Sequence, residues 1–283
     1  MAERLNAASR LPDAAVGGVI RPAGPSGQVK ALQRLLPAAF LFLLLVIWEI
    51  VARIGSVPEY ILPAPSAIGE RLISSWSNLW DATLITTSEV LIGFVIGVLL
   101  GIGLAIPIAY SRLVRNTLYP LIVASQAVPK IAIAPLLVLW LGFEIWPKIA
   151  VTALMVFFPV TVTAAEGFSS VDRDLLDLLR SVNATPAQIF FRIRFPHALP
   201  HIFSGLKVGI TLAVVGAVVG EWVGADSGLG YLLTYANALL DSTLLFAALF
   251  LLIVLGVILF AIVEVAERVL LPWHHDDSVA LRN

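Results

Sequence analysis

The feature that most constrains this chain is its division into apolar runs of near-bilayer length, separated by short polar stretches. Residues 35–52, 89–110, 117–141, 146–165, 202–223 and 244–266 form these runs. A helix needs about twenty apolar residues to cross the hydrocarbon of a membrane. In lipid every backbone polar group must be satisfied within the segment, so helices are the spanning form that such runs allow. Composition agrees: 13% of residues are charged, against about a quarter in soluble domains. The expected fold is an all-α integral membrane protein with six transmembrane helices over residues 35–266. A polar, Ala/Gly/Pro-containing tail (1–34), expected to be disordered, precedes it, and a second polar tail (267–283) follows.

Basic residues set the expected orientation. With the N-terminus inside, thirteen fall on inner segments: Arg4, Arg10, Arg21, Lys30, Arg34, Arg112, Arg115, Arg173, Arg180, Arg192, Arg194, Arg268 and Arg282. Three fall outside, Arg53, Arg71 and Lys148, while Lys130 and Lys207 lie in or beside spans. Cytoplasmic loops carry the excess of Lys and Arg, so both termini are expected in the cytoplasm. The seven tryptophans fall near run ends or in the segment 57–82, as an interfacial belt requires. In that segment Ile68, Leu72, Ile73, Trp76, Leu79 and Trp80 share one helical face, which predicts a helix on the outer surface. Residues 226–242 read as an outer loop.

Several classes are excluded. The chain has no cysteine, so disulfides and thiolate metal sites are absent. A net charge of −1 gives no electrostatic reason for a nucleic-acid partner. No G-x-x-x-x-G-K-[ST] phosphate loop occurs, so the chain does not hydrolyse ATP by that route.

Two patterns inside the runs bear on function. Gly93, Gly97 and Gly101, then Gly205/Gly209 and Gly216/Gly220/Gly224, recur every fourth residue and predict close helix packing. The third run is interrupted by Pro120, Pro129 and Pro135 and carries Gln126 and Lys130 near its middle. Broken helices with polar groups at membrane depth are tolerated where they face protein or a water-filled path. Gln126, Pro129 and Lys130 are therefore candidate pathway residues, with snorkelling or pairing to a helix carbonyl as the alternative for Lys130. Glu221 either lines the same path or anchors the loop behind it, and anchoring is the preferred reading. His197 and His201 are four apart, but Pro196 and Pro200 are expected to break the helix a metal pair would need. His274-His275-Asp276-Asp277 reads as a polar tail, so no metal site is assigned.

The polar interlude 169–201 is longer than a connection needs. Ser169 or Ser170 is the expected N-cap of a first helix, with Asp172 and Asp174 in its first turn. Val171, Leu175, Leu178, Leu179 and Val182 recur at helical spacing as its apolar face. Asn183 suits the left-handed stop. Thr185-Pro186-Ala187-Gln188 spells a capping box with proline at the first helical position. The second helix, carrying Ile189, Phe190 and Ile193, is expected to end before Pro196. Two short amphipathic helices at a tight corner make a docking knob.

The order Asp177-Leu178-Leu179, three residues, Asn183, nine residues, Ile193, one residue, Phe195-Pro196 resembles the cytoplasmic EAA loop of ABC importer permeases. There the pattern is Glu-Ala-Ala, three residues, Gly, nine residues, Ile, one residue, Leu-Pro. LPAPSAI (62–68), VPKIAIAPLLVLWLGF (128–143) and GEWVGADSGLGYLL (220–233) resemble the branch that imports nitrate, sulfonates, taurine, bicarbonate and pyrimidine precursors. The resemblance spans roughly Leu62 to Glu264. It implies a type I importer permease in the bacterial inner membrane, working as a pair of permeases, with Asp177, Leu178, Leu179, Asn183, Ile193, Phe195 and Pro196 in the coupling loop. It further implies a cytoplasmic ABC ATPase dimer that binds ATP and magnesium, a periplasmic or lipid-anchored solute-binding protein, and no cofactor in this chain. The solute would be a small anion (sulfonate, taurine, nitrate or bicarbonate) or a pyrimidine-type vitamin precursor. An ATP-independent channel or secondary carrier is the alternative; such a protein has no reason to keep a capped helix pair of this length.

Overall fold

The computed structural model describes residues 27–54 and 58–273, and among these it contains helices and turns but no strand. The segment His274–Asp277 and most of the N-terminal tail lie outside the described residues. Helix α1, Gly27–Ile54, forms a unit of its own up to Val51. It contains the first apolar run and begins eight residues before it, inside the tail predicted to be disordered.

In the second unit α2 (Pro65–Ser74) begins with proline at its first position, and α3 runs from Trp76 to Tyr110. The predicted surface helix is thus divided at Ser75, and its second half continues into the second span. No proline interrupts the 35-residue α3 until Pro107, so no helix breaker stops it at the membrane boundary. The predicted apolar face divides accordingly: Leu79 is fully buried and Ile68 buried, while Ile73 is 81% exposed.

The third run is broken, as its prolines require. Helix α4 (Arg112–Ser125) and the pair formed by a 3-10 turn at Lys130–Ile133 and α5 (Ala134–Leu141) are bent 90° from each other. The break falls before Pro129, which bars the helical region to Val128, whereas Pro120 lies within α4.

Helix α6 (Ile145–Ser169) is the centre of the bundle, and the glycine stripes show why. A Cβ added at Gly93 would lie 2.5 Å from the Thr152 side chain, and one at Gly216 would lie 2.8 Å from the Thr152 Cα. Thr152 is therefore gripped from one side by α3 and from the other by α9 (Phe195–Gly224). Val160 is held in the same way, between Gly101 and Gly209. Gly216→Ala should destabilise the purified protein by about 1–3 kcal/mol, because its neighbour is backbone and cannot rotate away. Gly103→Ala, with open space around it, should leave the thermal unfolding midpoint unchanged or slightly raised, since alanine is the better helix former.

The knob follows α6 as α7 (Arg173–Ser181) and α8 (Pro186–Ile189). Asp172, rather than Ser169 or Ser170, is the N-cap, accepting from the Asp174 N–H at 3.0 Å. The second helix does not end before Pro196. A π-helical turn at Phe190–Arg194 joins α8 to α9, so Pro186–Gly224 is one 39-residue helix. The Phe195 N–H bonds to the Phe190 carbonyl. This wider turn displaces the carbonyl that the Pro196 ring would otherwise strike and absorbs its missing N–H. His197 and His201 consequently sit four apart on an unbroken helix, contrary to the expectation from Pro196 and Pro200, although the described residues contain no cluster of three metal-ligating groups.

The predicted outer loop holds a helix, α10 (Leu229–Ala238), which precedes α11 (Ser242–Leu270). Glu267, placed in the polar tail by sequence, is buried in α11 and pairs with Lys207. Asp241 caps α11 through the Leu244 N–H at 3.0 Å and pairs with Arg71 at 2.5 Å, tying α2 to α11. Burial raises the Asp241 carboxyl, but hydrogen bonds from Thr243 and Leu244 and the Arg71 charge outweigh it and hold it below its ordinary value. By length and apolarity four described helices can cross a membrane, α3, α6, Pro186–Gly224 and α11, or five if the bent pair is one broken span, against the six expected from sequence.

Candidate functional site: the coupling corner and a buried ionic cluster

The corner is built as its local signals require. Asn183 has φ 59°, the Ala184 N–H bonds to the Leu179 carbonyl at 3.0 Å and the Asn183 N–H to the Arg180 carbonyl at 3.0 Å. That double closure is a Schellman stop. Two residues later Thr185 and Gln188 form the reciprocal capping box. Asn183→Gly should be neutral or slightly stabilising, whereas Asn183→Ala should cost about 1 kcal/mol in thermal unfolding, since a Cβ without a compensating polar group disfavours the left-handed region.

The leucines divide differently from the sequence reading. Val171, Leu176 and Ile189 form the knob's interior, with Leu179, Ala184 and Ile193 packed on it. Leu175, Leu178 and Val182, predicted to share the apolar face with Val171 and Leu179, are 40%, 62% and 68% exposed. At positions i, i+3 and i+7 they form a ridge along α7, pointing away from the knob's own core. Beside it lies a groove of about 320 Å³ bordered by Val182, Asn183, Gln188 and Arg192. Asp177 is exposed and accepts from Arg180 at 2.9 Å. Phe195 lies tilted against Phe190 at 6.0 Å between centroids, and Phe190 in turn meets Phe168 of α6 at 5.7 Å. An aromatic cluster therefore fixes the knob to the base of the bundle. The helix containing Ile193, Phe195 and Pro196 runs without a break into the span.

The candidate pathway residues do not form one group. Gln126, Pro129 and Lys130 meet at the 90° break. The Lys130 ammonium donates to the Gln126 carbonyl at 3.3 Å and lies 5.0 Å from the centre of the Phe158 ring. Glu221 is elsewhere. It is 1% exposed and accepts from the Thr86 hydroxyl at 2.6 Å, the Tyr231 N–H at 3.2 Å and the Gly230 N–H. Phe158, beside Lys130, and Lys148, packed on Gly220, are ten residues apart on α6, which is about 15 Å along the axis. Glu221 thus binds the N-terminal amides of α10, where a carboxylate suits the helix dipole. It does not face the break.

Sequence reasoning missed the partners of Glu221. Lys148, placed outside by sequence, is 5% exposed and pairs with the fully buried Glu89 at 3.1 Å. Glu89 also lies beside Glu221, and the Leu229 N–H donates to Thr86 at 2.8 Å. Three spans and the α10 loop therefore converge on Thr86, Glu89, Lys148 and Glu221. The signal was present: Glu89 precedes Gly93, Gly97 and Gly101 in the same four-residue register, so it had to face α6 as they do.

The sequence profile of binding-protein-dependent transport system inner membrane components matches residues 93–271, more than half of the chain. The chain belongs to that family. It is 41% identical over 245 residues to the formylaminopyrimidine transport permease protein ThiX of Halalkalibacterium halodurans, covering 86% of this chain and 98% of that one. The riboflavin transport system permease protein RibX of Chloroflexus aurantiacus is 35% identical, over 88% of this chain and 95% of its own. The putative aliphatic sulfonates transport permease protein SsuC of Bacillus subtilis is 31% identical, over 96% and 98%. A chain of the MetNI methionine ABC transporter, solved in inward-facing conformations, superposes with a TM-score of 0.53 at 20% identity, covering 69% of this chain and 94% of that one; that likeness is one of fold. The permease is thus an integral membrane transport subunit of an ABC importer and not itself an enzyme.

Proposed function

We propose that the permease works as a pair with a cytoplasmic ABC ATPase dimer, which binds ATP and magnesium, and with a separate solute-binding protein on the opposite face of the bacterial inner membrane. The observation that carries this reading is the knob: two capped helices with their own small core, an unmatched apolar ridge and a continuous helix into the bundle. Closure of the ATPases on ATP moves the two knobs together. Because α8, the π turn and α9 are one helix, and α9 is locked to α6 through the glycine contacts, that movement becomes rotation of whole spans. Both termini then lie in the cytoplasm, a placement that the bias of basic residues toward the inner segments supports.

The solute reading is a neutral heterocycle of the pyrimidine vitamin-precursor type. The formylaminopyrimidine permease supports it through 41% identity over 86% of this chain. The test is uptake in proteoliposomes holding the permease, its ATPase and its binding protein, with labelled formylaminopyrimidine, taurine and an alkanesulfonate offered in turn. ATP-dependent accumulation of the pyrimidine alone is expected. Accumulation of only the sulfonates would reverse the solute assignment. Ion-driven uptake by this chain alone, indifferent to ATP, would establish the channel or carrier alternative.

A further inference from the structure

We infer that the base of the bundle holds a binding site for a phosphate-bearing anion, between the α3–α4 corner and the knob. A cleft of about 420 Å³ opens there, lined by Arg112 and Arg115 of α4, Arg173 and Arg180 of α7, and Arg194 of the π turn. Asp177 is the one acid among the lining residues, and it is paired with Arg180. Among the described residues Arg112, Arg115 and Arg173 have no carboxylate partner. Unpaired cations gathered round one cleft repel each other, and an anion would offset that repulsion.

Arg194 is the second, independent observation. Its guanidinium lies over the Tyr110 ring, 4.5 Å from the centroid, a stacking geometry that fixes the plane of the fork. Its Nε is buried with no acceptor among the described residues. A buried donor without a partner is costly, and a phosphate oxygen in the cleft would satisfy it. Guanidinium groups bind phosphate through paired N–H donors, and the volume lies in the range of small-ligand sites.

The depth of the site favours a lipid. Tyr110 ends α3, Phe168 lies one residue from the end of α6, and Arg194 immediately precedes α9, so the cleft sits where three spans leave the apolar layer. Basic pockets between spans at that level suit anionic headgroups. The inference does not depend on the coupling or solute readings, since it concerns this chain and a phosphate alone.

The experiment uses the whole chain in neutral detergent. Native mass spectrometry follows retention of phosphatidylglycerol and phosphatidylcholine, while thermal unfolding follows titration with inorganic phosphate and pyrophosphate. One phosphatidylglycerol should be retained and phosphatidylcholine should not, with affinity lowered on the order of tenfold or more in Arg112→Gln/Arg115→Gln. Both arginines are exposed, so the double variant should fold, and Arg173→Gln from the facing helix provides a second test. A shift with pyrophosphate but no retention of phosphatidylglycerol would assign the same site to a soluble phosphate. Equal retention by wild type and both variants would overturn the inference. So would the absence of any response to lipid or phosphate, the result expected if the cleft instead receives an acidic segment of another protein.

Discussion

Lys148→Met is expected to destabilise the purified permease by about 3–5 kcal/mol, the cost of removing one member of a buried ion pair. Methionine matches the length of the lysine stem, so packing against Gly220 is kept and the charge is the variable. Glu89 has no exposed surface, and among the described residues neither of its oxygens accepts a well-aligned hydrogen bond. Lys148 at 3.1 Å is therefore its compensation. Without the cation, Glu89 faces Glu221, which already accepts from Thr86, Gly230 and Tyr231. Two carboxyl groups side by side in a poorly screened interior, with no cation between them, are unfavourable. The double variant Lys148→Met/Glu89→Gln should recover most of the loss, because the amide that replaces the Glu89 carboxylate can donate to Glu221 and the facing like charge is gone. Thermal unfolding in detergent reads both variants. A single variant as stable as wild type, or a double variant no better than the single, would mean that the pair does not hold α3 to α6.

How much of this was legible in the sequence depends on whether a residue's role is local. The stop at Asn183 and the Thr185–Gln188 capping box follow from single-residue backbone preferences, and the structure forms each where the sequence places it; of the three prolines read as interrupting the third run, Pro129 marks the break whereas Pro120 lies within α4. The close approach of helices at the glycine stripes was legible for the same reason, since a missing Cβ has one steric meaning. Roles that depend on a partner elsewhere were not legible. Lys148 looked like an outer loop residue because its carboxylate lies on α3, far away in sequence. Pro196 looked like a helix end because a π turn that accommodates it cannot be read from composition. In α7, leucines at 175, 176, 178 and 179 satisfy a helical period on either of two faces, and only the packing of Ile189 and Ile193 selects Leu176 and Leu179 for the interior.

That selection leads to the largest functional effect expected. Leu178→Asp and Val182→Asp should each lower ATPase co-purification and solute-stimulated ATP hydrolysis roughly thirtyfold, the loss typical of an apolar anchor at an interface centre. Both side chains are more than 60% exposed and neither belongs to the knob's interior cluster. The variants should therefore keep the knob folded, with wild-type circular dichroism and thermal midpoint, which separates loss of docking from loss of structure. Leu176→Asp is the contrasting case. It places a carboxylate among Val171 and Ile189 and should disorder the corner itself. Asp177→Lys tests the polar alternative. Its exposed pair with Arg180 is of the kind that contributes little, so the variant should weaken association about tenfold or less. If Asp177→Lys abolished coupling while Leu178→Asp and Val182→Asp left it intact, the acid and not the ridge would be the contact. The energy of ATP would then reach the spans through charge recognition, with the helix pair serving only to present it.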